Sequence, residues 1–101
     1  MRRAARKDGN HAQVVAIFRA HGASVEVLEP RDRGRITGGL PDLLVGYEGV
    51  NELVEVKTPG ESLNERQKQW HRTWVGARPV VVCHAEECIE VLRAMREAGN
   101  P

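Results

Sequence analysis

Two carboxylates and an ammonium group, Asp42, Glu55 and Lys57, stand where two apolar runs could bring them together. Leu43–Tyr47 and Leu53–Val56 flank Glu48-Gly49, the pattern of two strands joined by a tight hairpin. With Glu48 and Gly49 as a two-residue loop, residues whose numbers sum to 97 pair, and Asp42 stands opposite Glu55. Strand alternation puts Glu55 and Lys57 on one face and Val54 and Val56 on the other. Directly opposed side chains lie ~5 Å apart, where like charges destabilise by up to about 1 kcal/mol. A divalent cation between the carboxylates would remove that repulsion, since magnesium takes carboxylate oxygens at about 2.1 Å and keeps several waters for a substrate. The competing reading is a solvated strand end at which Lys57 neutralises a carboxylate. Because Leu43–Val45 and Leu53–Val56 read as central strands buried on both faces, the site reading is favoured.

The elements that must hold these groups follow from the rest of the pattern. A first helix is expected over about His11–Ala20, with Asn10 as N-cap and Gly22 just past its end. Val14, Ile17, Phe18 and His21 share one face, with Val15 beside them. Ser24–Leu28 reads as a first strand, and Glu29 to Pro41 as a loop punctuated by Pro30, Gly34, Gly38 and Gly39. Pro41 can open the second strand, where a missing N–H is tolerated. After a turn at Pro59-Gly60, a second helix should span about Glu65–Val75, with Asn64 and Gln67 in the capping-box relation. Gln67, Trp70 and Trp74 lie on one face, so the tryptophans are expected in the core. A short buried strand over Pro79–Cys83 and a third helix over Ala85–Ala98, with Ile89, Leu92 and Met95 inward, complete the chain. The order αβββαβα implies an α/β domain with a mixed four-stranded sheet flanked by helices. The fourth strand should lie parallel to the third, reached through the second helix. Cys83, His84 and Cys88 lack a fourth partner at zinc-ligand spacing, so no metal is assigned there.

At 101 residues the chain is expected to form a single domain over residues 10–101, behind a basic, poorly ordered tail over residues 1–9. A hydrophobic content of 41% beside 29% charged residues fits an ordinary soluble protein. No apolar run approaches membrane-spanning length and no secretory leader is visible, so a cytoplasmic setting is expected. Two cysteines are too few for a disulfide framework. The net charge of +1 says little, but its distribution says more. Arg2, Arg3, Arg6 and Lys7 cluster at the N-terminus, Arg31, Arg33 and Arg35 fill the long loop, and Lys57, Arg66, Lys68 and Arg72 form a third group. These could hold a polyanion while the carboxylates keep a cation.

Pro41-Asp42, twelve intervening residues and then Glu55-Val56-Lys57 resemble the PD-(D/E)xK nuclease signature. Asn10-His11, the Gly38–Gly46 segment, Leu63-Asn64, Gln67 and Trp70 narrow the resemblance to the VRR-NUC family in its small, single-domain phage form, over roughly Asn10 to Glu87. The resemblance implies a restriction-endonuclease-like core and hydrolysis of DNA. It implies Mg²⁺ or Mn²⁺ held by Asp42, Glu55 and the Val56 carbonyl, with Lys57 acting on the attacking water or on the developing charge. It also places Gln67 near the active site. Gln13 stands about where the family pattern often has an acidic residue in the first helix, so the cation would have two carboxylates instead of three; Gln13 and His11 are accessory candidates.

The expected function is a metal-dependent DNA endonuclease, selective for branched or junction DNA in replication or repair and acting as a homodimer. It would work in a bacterial cytoplasm or as a phage protein in its host. The alternatives are a catalytically silent DNA-binding module, which Gln13 favours, and a protein–protein subunit of a phage replication complex. Arg31, Arg33, Arg35, Arg66 and Lys68 are the expected DNA contacts.

Overall fold

Seven elements alternate along the chain: α1 (Ala5–Ala20), β1 (Ser24–Val27), β2 (Leu43–Tyr47), β3 (Val50–Val56), α2 (Glu65–Thr73), β4 (Val80–Val82) and α3 (Ala85–Gly99). The computed structural model describes residues 5–28 and 38–99, the side chains of residues 5–9 excepted. Arg2, Arg3, Arg31, Arg33 and Arg35 lie outside the described residues, as do the side chains of Arg6 and Lys7. The strands form one sheet in the order β1-β2-β3-β4, antiparallel except for the parallel β3–β4 pair. This is the mixed sheet flanked by helices that the element order implies.

The β2–β3 hairpin has the expected register, from Leu43↔Val54 to Tyr47↔Val50. Its turn needs positive φ at both central residues, and Glu48 (φ 53°) and Gly49 (φ 80°) supply it. Val25, Leu43, Val45, Val54 and Val82 point to one face, against Val14, Phe18, Cys88, Leu92 and Met95 of α1 and α3. Leu43, Val45, Val54, Val82 and Phe18 are wholly buried there.

Several expectations need correction. The strands are not buried equally on both faces: Leu44 and Leu53 are half-buried and Val81 is exposed, because the short α2 covers the second face only in part. Helix α1 begins at Ala5, not His11, so it reaches into the segment read as a tail. Asn10 is therefore inside the helix and not its cap. Its amide instead donates to the Lys57 carbonyl at 2.7 Å and the Cys83 carbonyl at 3.3 Å, tying α1 to the ends of β3 and β4. Helix α2 stops at Thr73, and Trp74, expected in the core, is 48% exposed and stacks on the buried Trp70 with ring centroids 4.5 Å apart. On α3, Cys88 is wholly buried beside Leu92 and Met95, while Ile89 is only half-buried. Burial pushes the Cys88 thiol up to about 11.

Candidate active site

The face of the sheet opposite the main core carries Asp42, Glu55 and Lys57. Continuing the ladder one step past Leu43↔Val54 sets Asp42 opposite Glu55. Wholly buried Pro41 seats the entry to β2, and the Asp42 carbonyl accepts from Leu28 N at 2.8 Å. The Asp42 side chain turns onto β3, where Oδ2 accepts from Val56 N at 2.8 Å. In a strand, the N–H and C=O of one residue point to the same side, so the Val56 carbonyl also faces the Asp42 edge.

Glu55 is wholly buried. Burying a carboxylate costs several kcal/mol unless polar groups replace its water. Helix α2 supplies one of them, the Gln67 amide, and sets His71 beside the other oxygen without a hydrogen bond to it. Gln67 Nε2 donates to Glu55 Oε2 at 3.0 Å, and His71 Nε2 lies 3.5 Å from Oε1. Gln67 is both a helix cap and a hydrogen-bond partner of Glu55. Its Oε1 accepts from Asn64 N at 2.9 Å while its backbone N–H donates to Asn64 Oδ1 at 2.9 Å, so the capping box fixes the amide that reaches Glu55. Burial, and next the Arg78 guanidinium, push the His71 imidazole below its ordinary range, which favours its neutral form. The sequence reading missed His71. The available signal was its position one helical turn after Gln67, on the same face.

Lys57 lies on the Glu55 face with 8% of its surface exposed, and its Nζ is 3.8 Å from Glu61 Oε2. Glu61 was also missed; it is the fourth residue after Lys57, across the Pro59-Gly60 turn. Asp42, Glu55, Val56, Lys57 and Gln67 are thus brought together. Gln13 and His11 sit on α1, Gln13 exposed and His11 half-buried, and no described hydrogen bond links either to the carboxylates.

The donor set suits a hard divalent cation: two carboxylates on paired strands and a backbone carbonyl, all oxygen. No cluster of three His, Cys, Asp or Glu side chains able to hold a metal is found among the described residues. Water or substrate oxygens would therefore complete the shell, as magnesium's retained hydration allows.

Arg66, an expected DNA contact, lies across Gly38. A Cβ added at Gly38 would be 2.6 Å from Arg66 Nη1, and one at Gly39 only 2.3 Å from the Arg66 carbonyl. The Gly38-Gly39 turn therefore packs directly on the first turn of α2. Beside it a depression of about 360 Å³ is lined by Gly38, Arg66, Gln69, Trp70 and Thr73. Lys68 is exposed and pairs with Glu65 at 3.5 Å.

A mixed sheet whose hairpin sets an aspartate against a Glu-x-Lys strand, with helices on both faces, defines an α/β fold of the nuclease type. The chain belongs to the VRR-NUC domain family, whose model matches residues 4–87. A solved structure described as a VRR-NUC domain is similar at a TM-score of 0.63 and 29% identity, covering 81% of this chain and 92% of that one. Comparison with functionally curated proteins finds no match. No described helix is long and apolar enough to cross a membrane.

Proposed function

We propose that the protein is a Mg²⁺- or Mn²⁺-dependent endodeoxyribonuclease. The observation that carries this reading is the wholly buried Glu55 carboxylate, hydrogen-bonded by Gln67 and flanked by His71, with Asp42 docked on the adjoining backbone and buried Lys57 on the same face. Asp42, Glu55 and the Val56 carbonyl would hold the cation. When bound, the cation supplies charge neutralisation at the scissile phosphate and a more acidic water. The Lys57 ammonium orients that water or meets the charge that builds on the phosphate oxygens. Gln67 holds Glu55 in one orientation, with His71 packed beside it. Arg66, Lys68 and the arginines at 31, 33 and 35 bind the phosphate chain. Branched or junction DNA as substrate, in replication or repair, and a homodimeric assembly follow from the family resemblance, as does work in a bacterial or phage-infected cytoplasm.

The second reading is a silent DNA-binding module of the same fold. It is favoured by Gln13, a neutral, exposed residue where a third carboxylate could stand. Lys57 separates the two. In the nuclease, Lys57→Ala binds DNA within a few-fold of wild type while single-turnover cleavage with Mn²⁺ falls ~10²–10⁴-fold. Lys57→Met keeps the aliphatic stem and fails equally. Near wild-type cleavage by either variant overturns the mechanism, and absence of cleavage by wild type on duplex, flap and four-way junction DNA leaves the binding module.

A further inference from the structure

The backbone of Lys57 is fixed from both sides. Its N–H donates to the Val82 carbonyl at 2.9 Å, and its carbonyl accepts from Asn10 at 2.7 Å. What remains free to move is a four-carbon side chain with many rotamers. The chain then turns back at once. Glu61 N donates to the Thr58 carbonyl at 3.0 Å, with Pro59 and then Gly60 (φ 87°) at the centre, which is a type II turn. Glu61 Oε1 accepts from Thr58 N at 3.0 Å and from Thr58 Oγ1 at 2.9 Å, and Oε2 faces the Lys57 ammonium.

An i,i+4 ion pair on an open surface contributes little, since both side chains must be immobilised to form it. Here one partner is buried and the other is already held by its own turn, so little further ordering is needed. We propose that Glu61 is a positioning residue for Lys57, held by the Thr58–Glu61 turn so that it keeps the Lys57 ammonium on the Asp42–Glu55 face. The proposal deepens the nuclease reading and, where it concerns turnover, rests on it. A group held near its working position before reaction loses less freedom at the moment of reaction, and a displacement of about 1 Å can cost 10²-fold.

Glu61→Gln tests this, because the amide oxygen can still accept from Thr58 while the charge is gone. The expected result is an unchanged melting temperature, DNA affinity equal to or tighter than wild type, and a turnover lower by about 10- to 100-fold. A merely solvated acid would give the same binding with turnover unchanged, and that result overturns the proposal. A second measurement needs neither metal nor cleavage. The chain has three lysines, Lys7, Lys57 and Lys68, so side-chain methylene relaxation by NMR in chelator resolves Lys57. The Lys57 terminus should be rigid in wild type and mobile in Glu61→Gln and Glu61→Ala. Equal mobility in all three overturns the positioning role. Loss of rigidity in the variants with no cleavage by wild type would uphold the positioning and sink the nuclease reading alone.

Discussion

The two faces of the sheet are built from alternate residues of the same strands, yet they are held by different physics. On one face Leu43, Val45, Val54 and Val82 meet Phe18, Leu92 and Met95, and shape and apolar area decide the packing. On the other, Asp42, Glu55 and Lys57 meet Gln67, His71 and Glu61, and hydrogen bonds and charge decide the arrangement. The helices differ accordingly: α1 and α3 have 16 and 15 residues, while α2 has nine and carries its weight in specific contacts. The contrast shows how one seven-residue strand, β3, can carry a core valine, Val54, and a buried carboxylate, Glu55, at adjacent positions. A substitution on the first face should change folding and spare the site, and one on the second should do the reverse.

The largest expected effect tests the apolar face. Phe18→Ala should destabilise by ~3–5 kcal/mol in denaturant titration, the cost of an unfilled cavity at a wholly buried aromatic. A loss below about 1 kcal/mol would mean that α1 does not anchor the core.

Gly39→Ala comes next, because it links the loop to α2. A side chain at φ 96° costs ~1–2 kcal/mol, and its Cβ would meet the Arg66 carbonyl. The melting temperature should fall, and Gln67 should lose its hold on Glu55, seen as weaker Mn²⁺ stabilisation. A fall in melting temperature with Mn²⁺ stabilisation intact would separate the turn from the site.

Asp42→Asn should reverse the ranking of the two faces. Without metal it should be neutral or slightly stabilising, since like charges opposed across a strand pair cost up to about 1 kcal/mol. The Mn²⁺-dependent rise in melting temperature, which grows as RT ln(1 + [L]/Kd), should vanish. Equal shifts in variant and wild type would remove Asp42 from the cation site.

The smallest effect lies at the start of α3, away from both faces. Glu87 accepts hydrogen bonds from Cys83 N and His84 N, which hold its carboxyl below the ordinary range. A depressed folded pKa gives stability that is present above the unfolded value and lost as pH falls through the folded one. Glu87→Gln should therefore narrow the gap between melting temperatures at neutral pH and in acid. An unchanged gap would show that the cap does not titrate with folding.

The hairpin was legible because its signals are local: a two-residue turn, alternating apolar runs and opposed charges fix the register of Leu43 against Val54. The Asn64–Gln67 capping box was legible for the same reason. Long-range partners were not. Asn10 looked like a cap because its real acceptors, the carbonyls of residues 57 and 83, are distant in sequence. His71 was missed because nothing local announces a buried carboxylate beside it. Trp74 looked apolar enough for the core, but α2 ends before it and stacking on Trp70 leaves half of it exposed. Neighbours in sequence specify turns and caps, whereas polar contacts across the fold are specified by topology.

The Asn10 amide has a consequence for how the chain reaches its final form. It joins segments 47 and 73 residues apart, and it does so where the parallel β3–β4 pair ends. Contacts of such separation form only after the intervening chain has been closed into a loop, which makes them slow. A chain emerging from the ribosome has α1 long before residue 83 exists, so this bond must wait for β4. A nascent chain halted before β4 would leave β3 as an open edge, with the Asn10 amide short of one acceptor and Val54 and Val56 without their strand neighbour. Such an edge is a template for pairing with another chain. The bond that joins three elements in the finished protein is thus complete only once β4 has covered the β3 edge.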